Sequence, residues 1–186
     1  MTSDLRLAGE RVLLRPPTPE DLGGFRRLFT DPEVMRFVAH GRPLTDAEVE
    51  GWVSRMIARF DVDGFGQFAL ARREDGVLMG RAGLLPLDPA TFQSGSLSDI
   101  GPKAEIEIGW TLAREFWGNA YATEAAMLVR DWAWRELELL RLISIIQVGN
   151  AASVRLADKL GARFEREVTT SFGKRAQLFA YARQTG

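Results

Sequence analysis

The stretch that decides the fold is residues 105–126, EIEIGWTLAREFWGNAYATEAA. Its first six residues alternate polar and apolar side chains, which predicts a β-strand. From Ala122 onward, alanine and larger apolar residues recur at helical spacing, which predicts a helix. Between them, small residues allow a ligand close to the backbone, and Asn119 is a favoured N-cap. A helix beginning there would direct free N–H groups into the turn, an arrangement that binds phosphate.

The composition argues against several classes of protein. The formal net charge is −1, so nothing favours nucleic acid or an anionic membrane as a partner. The absence of cysteine excludes disulfides and thiolate nucleophiles, and a single histidine, His40, makes a Ser-His-Asp triad or a multi-histidine metal site hard to build. There is no signal-peptide pattern, and no apolar run approaches the ~20 residues of a membrane span, so we expect a cytoplasmic protein.

The first third of the chain predicts one strand and two helices. Residues 10–15 form the strand, which ends at a Pro-Pro pair. Thr18 and Pro19 begin a helix that extends to about Phe29. A short turn follows over 31–37, then a loop at 39–43. The second helix is capped by Thr45 and runs to about Phe60.

The remaining segments surround the deciding stretch. Residues 66–73 and 77–85 predict a β-hairpin, and the Pro-, Gly- and Ser-rich residues 87–103 predict a mobile loop. Residues 141–148 predict a buried strand, followed by a helix that ends at Gly161. An antiparallel pair closes the chain. The order β-αα-β-β-β-α-β-α-β-β implies one α/β domain over residues 1–186 with a mixed sheet.

This order and its motifs resemble the GNAT superfamily of acetyl-CoA-dependent N-acetyltransferases. The family's pyrophosphate loop, Arg/Gln-x-x-Gly-x-Gly/Ala, corresponds to residues 117–122, with Trp117 and Ala120 departing from the pattern. The run WGNAYATEA resembles the branch that includes ribosomal-protein N-terminal acetyltransferases. The stretches ERVLLRP, DPEVMRFV and EIGW, the Asn150-x-x-Ser153 pair and the KLG that follows resemble the same branch.

The resemblance implies a fold and an activity. The expected fold is a mixed, mostly antiparallel sheet of about seven strands, flanked by four helices and splayed between its central strands. The expected partners are acetyl-CoA, as co-substrate, and a primary amine, either a small molecule or a protein N-terminus; no metal is implied, and a homodimer is allowed. With no cysteine to carry the acetyl group, the amine would attack acetyl-CoA directly in a ternary complex.

Glu107 is the candidate general base. An alkyl ammonium has a pKa of about 8 to 10.4, so near neutral pH a base must help remove its proton. In the resemblance, a carboxylate near the end of the central strand does this, often through water. Glu105 lies two residues away on the same face and would at most attract the cationic acceptor. The alternative is a solvated strand face that carries two ordinary glutamates.

The coenzyme site is predicted from the same resemblance. Main-chain groups of Trp110, Thr111 and Leu112 would bind the pantetheine arm and polarise the acetyl carbonyl, although these residues also simply continue the strand. The pyrophosphate would bind to N–H groups of the following turn, which is otherwise a plain strand-to-helix connection. That turn comprises Trp117, Gly118, Asn119, Ala120, Tyr121, Ala122 and Thr123.

Asn150 and Ser153 complete the predicted site. In the resemblance Asn150 contacts the pantetheine and Ser153 lies close to the thioester, whereas helix capping explains the same residues equally well. Many family members carry a tyrosine as general acid seven residues after this asparagine, and here that position is Ala157. Ser153, a water molecule or no acid at all would then serve the leaving thiolate.

Two rival functions remain open. The missing tyrosine is compatible with a non-catalytic acyl-CoA-binding or regulatory module on the same fold. A nucleotide-binding α/β domain is disfavoured because neither G-x-G-x-x-G nor G-x-x-x-x-G-K-[ST] occurs. His40 is a candidate gate of the acceptor pocket or an incidental loop residue, and the identity of the acceptor amine cannot be read from the sequence.

Overall fold

The computed structural model describes residues 5–183, and within them eight strands form a single sheet. The strands are β1 (Leu7–Ala8), β2 (Val12–Arg15), β3 (Gln67–Arg72), β4 (Leu78–Leu87), β5 (Glu105–Leu112), β6 (Arg141–Gln147), β7 (Arg163–Thr169) and β8 (Arg175–Ala182). Their order in the sheet is β1-β2-β3-β4-β5-β6-β8-β7. Neighbours pair antiparallel except β5 and β6, which run parallel.

The pairing of β5 with β6 is limited to one point. Glu107 lies opposite Ile143, and this is the one backbone ladder pair between the two strands in the described residues, although side chains also connect them. By contrast, β4 and β5 stay in register over their shared length, from Leu87 opposite Glu105 to Gly80 opposite Leu112. The sheet therefore opens between its two parallel strands, on the carboxyl side of Glu107.

Six helices accompany the sheet in the described residues. They are α1 (Leu22–Phe29), α2 (Pro32–Met35), α3 (Asp46–Asp63), α4 (Leu97–Ile100), α5 (Tyr121–Arg135) and α6 (Ala151–Lys159). The start of α3 shows why the sequence forms it: Thr45 and Glu48 cap each other's backbone N–H groups, as in a capping box. Gly64 ends the same helix in a left-handed conformation with φ +73°.

The helices cover both faces of the sheet and bury separate apolar clusters. On one face, α5 and α6 pack against strand residues that include Leu70, Ile108 and Ile146. On the other, α1, α2 and α3 enclose a cluster that reaches the sheet at Ala69. A smaller cluster around Phe92 and Ile143 lies under the segment that links β4 and β5.

The predicted fold class is confirmed, with differences in the number of elements. β1 escaped prediction because two residues are too few to show an alternating pattern. The segment 87–103, predicted as a loop, contains α4, whose first turn is capped by Ser96. The short turn predicted at 31–37 contains α2, capped by the Asp31 carboxylate. In the described part of the chain, no helix is long and apolar enough to cross a membrane.

Candidate active site

The opening between β5 and β6 gathers most of the predicted site residues. Because these strands are parallel and each is followed by a helix, the N-termini of α5 and α6 lie at the same edge of the sheet. The two helices are joined near their other ends, where the Arg130 Nη1 donates to the Leu160 carbonyl. The sequence positions 107, 110–112, 117–123 and 150–153 therefore belong to the two strands that separate here and to the helix starts that follow them.

Glu107 lies where the two strands separate. Its Oε1 accepts a hydrogen bond of 3.3 Å from the backbone N–H of Ile145 on β6, so its side chain bridges the opening. Burial raises the pKa of Glu107 to about 7, against smaller lowering effects of the Ile145 N–H and the Arg81 charge. A carboxyl with a pKa near the working pH is suited to general-base chemistry. Glu107 is partly buried in its strand, and the hydrogen bond from Ile145 distinguishes it from an ordinary solvated glutamate.

Glu105 occupies a different environment on the same strand face. Its carboxylate lies 3.1 Å from the Nε of Arg141, and the same guanidinium binds Glu165. This ion pair already compensates the charge of Glu105 at the far end of β5 from the opening. The two glutamates therefore differ in their surroundings, which makes Glu105 a natural control for Glu107.

The peptide groups at the end of β5 alternate between the two neighbouring strands. The Ile108 carbonyl accepts from the Ser144 hydroxyl and the Leu112 carbonyl from the Trp117 indole, whereas the Ala113 N–H donates to β4. Since alternate residues of a strand share one direction, the Trp110 peptide groups also face the opening. The peptide groups of Thr111 face β4 instead. Of the three residues predicted to bind the coenzyme through the main chain, only Trp110 and Leu112 therefore direct peptide groups towards the opening.

The turn after β5 is held by its own side chains. The Trp117 Nε1 donates to the Leu112 carbonyl at 2.7 Å, and the Asn119 Nδ2 donates to the Trp117 carbonyl at 3.0 Å. The expectation that Asn119 caps the helix is wrong: the N-cap is Ala120, in a left-handed conformation with φ +61°. Gly118 also has positive φ, and a Cβ added there would meet no atom within 4 Å.

The first turn of α5 directs its N–H groups out of this turn. The first hydrogen bond within the helix is donated by the Glu124 N–H to the Ala120 carbonyl. The N–H groups of Tyr121, Ala122 and Thr123 therefore have no acceptor within the helix. Arg11 supports the turn from outside, because its Nη1 donates to the Asn119 carbonyl and its Nε to Glu124. The arrangement is that of an anion site at the start of a 15-residue helix.

Asn150 and Ser153 lie at the start of α6, as predicted. Asn150 is the N-cap, and its Oδ1 accepts from the Ser153 N–H at 3.2 Å. Capping uses that oxygen, and the amide nitrogen of Asn150 and the hydroxyl of Ser153 take no part in it. Ala157, at the position of the family tyrosine, is fully buried.

A buried hydrogen-bond chain fixes the closed end of the opening. The Ser144 hydroxyl donates to the Ile108 carbonyl at 2.6 Å, so the Tyr181 hydroxyl donates to Ser144 at 2.9 Å. Both side chains are almost fully buried. The chain links β8, β6 and β5 one residue beyond the Glu107–Ile143 pair, and it explains Tyr181 as a structural residue.

Two contacts join the loop between α2 and α3 to neighbouring parts of the chain. The Gln147 Nε2 donates to the Ala39 carbonyl at 3.0 Å, which ties the loop between α2 and α3 to the end of β6. His40 in that loop packs edge-on against Phe172 at the tip of the β7–β8 hairpin, with ring centroids 4.6 Å apart. The role of His40 as a gate stays a prediction.

Arg81 on β4 is a residue of the site that sequence reasoning missed. It is 9% exposed, and its guanidinium lies over the Phe29 ring at 6.0 Å. Burial lowers its pKa to about 10, partly offset by the charge of Glu107. The burial of Arg81 could have been predicted from its position in the stretch LMGRAGLL (78–85). Apolar residues and glycines on both sides of it indicate a strand without a solvated face.

Neither of two cavities outside the opening between β5 and β6 reaches Glu107. One of about 490 Å³ lies between the C-terminal parts of α5 and α6 and includes Trp134 and Lys159. The other, of about 330 Å³, lies behind Tyr121, between Arg11 and Arg73. Within residues 5–183, no group of three His, Asp or Glu side chains is arranged to hold a metal ion.

Comparison with known proteins assigns this chain to a protein family. The acetyltransferase (GNAT) domain matches residues 11–163, so the chain belongs to the GNAT family. It is an N-acetyltransferase of the GNAT type, as the resemblance predicted, and the family uses acetyl-CoA.

Individual relatives and solved structures are similar to this chain over nearly its whole length. YkkB of Bacillus subtilis (strain 168) is 28% identical over 170 residues, which cover 90% of this chain and 91% of YkkB. The acetyltransferase from Agrobacterium tumefaciens str. C58 is 26% identical with a TM-score of 0.78, over 98% and 97% of the two chains. RimL, a ribosomal alpha-N-protein acetyltransferase in complex with coenzyme A, has a TM-score of 0.75 at 12% identity, over 96% and 98%, and shows likeness of fold alone.

Proposed function

We propose that this protein transfers the acetyl group of acetyl-CoA to a primary amine by direct attack in a ternary complex, with Glu107 as general base. The observation that carries the proposal is the carboxyl of Glu107, whose pKa burial raises to about 7. It bridges β5 and β6 where they separate. The acceptor is a small-molecule amine or a protein N-terminus.

The coenzyme is proposed to lie in the opening between β5 and β6. The Trp110 peptide groups, which face the opening, bind the pantetheine arm and polarise the thioester carbonyl. The pyrophosphate binds the amides of residues 118–123 at the start of α5, where Gly118 leaves room for it. Asn150, Leu112 and the Trp117 indole hold the arm and the turn in place.

The chemistry follows from these positions. Glu107 accepts a proton from the ammonium, directly or through water, and the free amine attacks the thioester carbonyl. The tetrahedral intermediate then loses the extra proton on its nitrogen, through water or a side chain, and the C–S bond breaks as the sulfur takes up a proton, so that the amide and the thiol of coenzyme A form. Ser153, in the first turn of α6, is the proposed proton donor to that sulfur, because Ala157 has no proton to give.

The experiment that tests this function is a coenzyme A release assay with a panel of primary amines. The wild type is expected to acetylate at least one of them, and Glu107→Gln to be slower near neutral pH by about 10²-fold or more. Glu105→Gln is the matched control, since it removes a neighbouring carboxylate that is paired with Arg141. Binding of acetyl-CoA with no product from any amine would support the non-catalytic acyl-CoA-binding module instead.

A further inference from the structure

Three cross-strand pairs of β4 and β5 follow each other on the sheet face that α1, α2 and α3 cover. They are Arg81 with Thr111, Gly83 with Gly109, and Leu85 with Glu107. The glycine pair separates the guanidinium at one end from the carboxyl at the other. A Cβ added at Gly109 would meet no atom within 4 Å, so the space above this glycine is open.

The polar groups at the Arg81 end of this space are buried without partners. Among the described residues, neither the Nε nor the Nη1 of Arg81 has a hydrogen-bond partner, and the Thr111 Oγ1 also has none. Both side chains are more than nine-tenths buried. A buried N–H or O–H group without a hydrogen-bond partner is destabilising, because its lost hydrogen bond to water is not replaced. Such a group is typical of a site that a ligand completes.

We infer that the acceptor is a small amine that also carries an oxyanion, such as a carboxylate, which pairs with Arg81 and Thr111 while the amine meets Glu107. The inference rests on the proposed function and names the substrate class of the same site. The two charged ends match a zwitterion: a carboxylate of the protein faces the ammonium, and a guanidinium faces the anion.

The geometry of the pairs favours an acceptor with separated charges. Glu107 and Thr111 are four residues apart on one strand, about 13 Å between Cα atoms, and both side chains are on the same face of the sheet. A guanidinium presents parallel N–H donors that match a carboxylate or a phosphate, and a hydroxyl adds a further donor. A neutral acceptor would leave the Nε and Nη1 of Arg81 and the Thr111 hydroxyl without hydrogen-bond partners.

The experiment compares acceptors that differ only in the anion. Glycine, β-alanine and 4-aminobutyrate are each paired with their amides, and phosphoethanolamine is paired with ethanolamine. For the wild type we expect kcat/KM to favour at least one anionic amine over its neutral partner by about 10- to 100-fold. Arg81→Met should abolish this preference, mainly through KM for the anionic amine, so the quantity compared is the ratio of kcat/KM for the anionic and the neutral amine. Using the ratio of two substrates cancels any change in the basicity of Glu107.

Two control variants sharpen the comparison. Arg163→Met removes an exposed arginine of the edge strand β7 and should leave the preference unchanged. Thr111→Val removes the hydroxyl alone and should weaken the preference less than Arg81→Met. Thermal melting checks folding, and Arg81→Met is expected to melt no lower than the wild type, because an apolar chain replaces an unpaired buried charge.

The outcomes separate this inference from the proposed function. If kcat/KM falls equally for anionic and neutral amines in Arg81→Met, Arg81 acts only through Glu107 and the inference is wrong. A wild type that prefers the neutral amines contradicts it as well. If no amine is acetylated, the inference is tested by calorimetry, which measures the binding of the amines to the protein saturated with coenzyme A. Binding of an anionic amine that is lost in Arg81→Met supports the inference while the proposed function fails, and no binding overturns both.

Discussion

Ser153 and Ala157 together define how the leaving thiolate can gain a proton. Ala157 is buried and has no donor, whereas the Ser153 hydroxyl lies in the first turn of α6 and is not part of the Asn150 cap. If Ser153 protonates the sulfur, Ser153→Ala should lower kcat by about 10²-fold or more, with little change in coenzyme affinity. Steady-state rates and calorimetry on the same preparation measure both quantities. A normal kcat in Ser153→Ala would mean that Ser153 has only a structural role at the start of α6. Water would then be the proton donor to the leaving thiolate.

Several residue roles could not be predicted from sequence because they depend on what lies opposite. The proximity of Glu105 and Glu107 in the chain suggested two similar carboxylates. Only the structure shows that Arg141 pairs with the first, while the second is desolvated beside Ile145. Arg81 was missed for a related reason: a lone arginine in a strand is usually solvated, and its burial depends on helices that are distant in sequence.

The turn between β5 and α5 was predicted in position but not in detail. The strand and helix were visible because each has a clear period, and the small residues between them indicated a close backbone approach. The sequence suggested Asn119 as the cap, since asparagine is the commonest choice, yet its side chain donates to the Trp117 carbonyl instead. Ala120 then takes the left-handed N-cap conformation, which normally favours glycine.

The role of this turn in coenzyme binding can be tested at Gly118. Asparagine tolerates the left-handed conformation, so Gly118→Asn should keep the turn while its side chain fills the open space next to the α5 amides. We expect the acetyl-CoA dissociation constant to rise about tenfold or more. Gly161→Asn is the matched control, because Gly161 has φ +84° and is equally open but lies at the far end of α6. Equal affinities in the two variants, measured by calorimetry, would remove the loop assignment.

For the molecule as a whole, the order of strands and helices could be predicted from the sequence pattern. The opening in the sheet was predicted only by the family resemblance. Strand and helix periods identify β2 to β6 and α5 and α6, but they carry no information about which strands stop pairing. That feature arises because, in the described residues, the backbones of β5 and β6 pair only at Glu107 and Ile143. The predicted single domain over 1–186 stays a prediction.

The burial of Glu107 should also appear in the stability of the protein. Its pKa is raised from 4.5 to about 7 in the folded state, so the folded protein holds this proton more tightly than the unfolded chain. The stability that this provides is complete below about pH 4.5 and is lost as pH rises through about 7. Glu107→Gln should therefore gain stability relative to the wild type over this range, on the order of 2–3 kcal/mol. Urea unfolding of both proteins between pH 5 and pH 8 measures it, and a constant difference would contradict the burial.

The most direct test of the account is the dependence of kcat/KM on pH for the wild type, Glu107→Gln and Glu105→Gln, with one competent amine. In the wild type and in Glu105→Gln, kcat/KM should rise with pH along a limb near 7, where Glu107 loses its proton. Glu107→Gln should lack that limb, be slower near neutrality by about 10²-fold or more, and recover only as pH approaches the pKa of the amine itself. If Glu107→Gln follows the wild-type curve at every pH, Glu107 is not the general base.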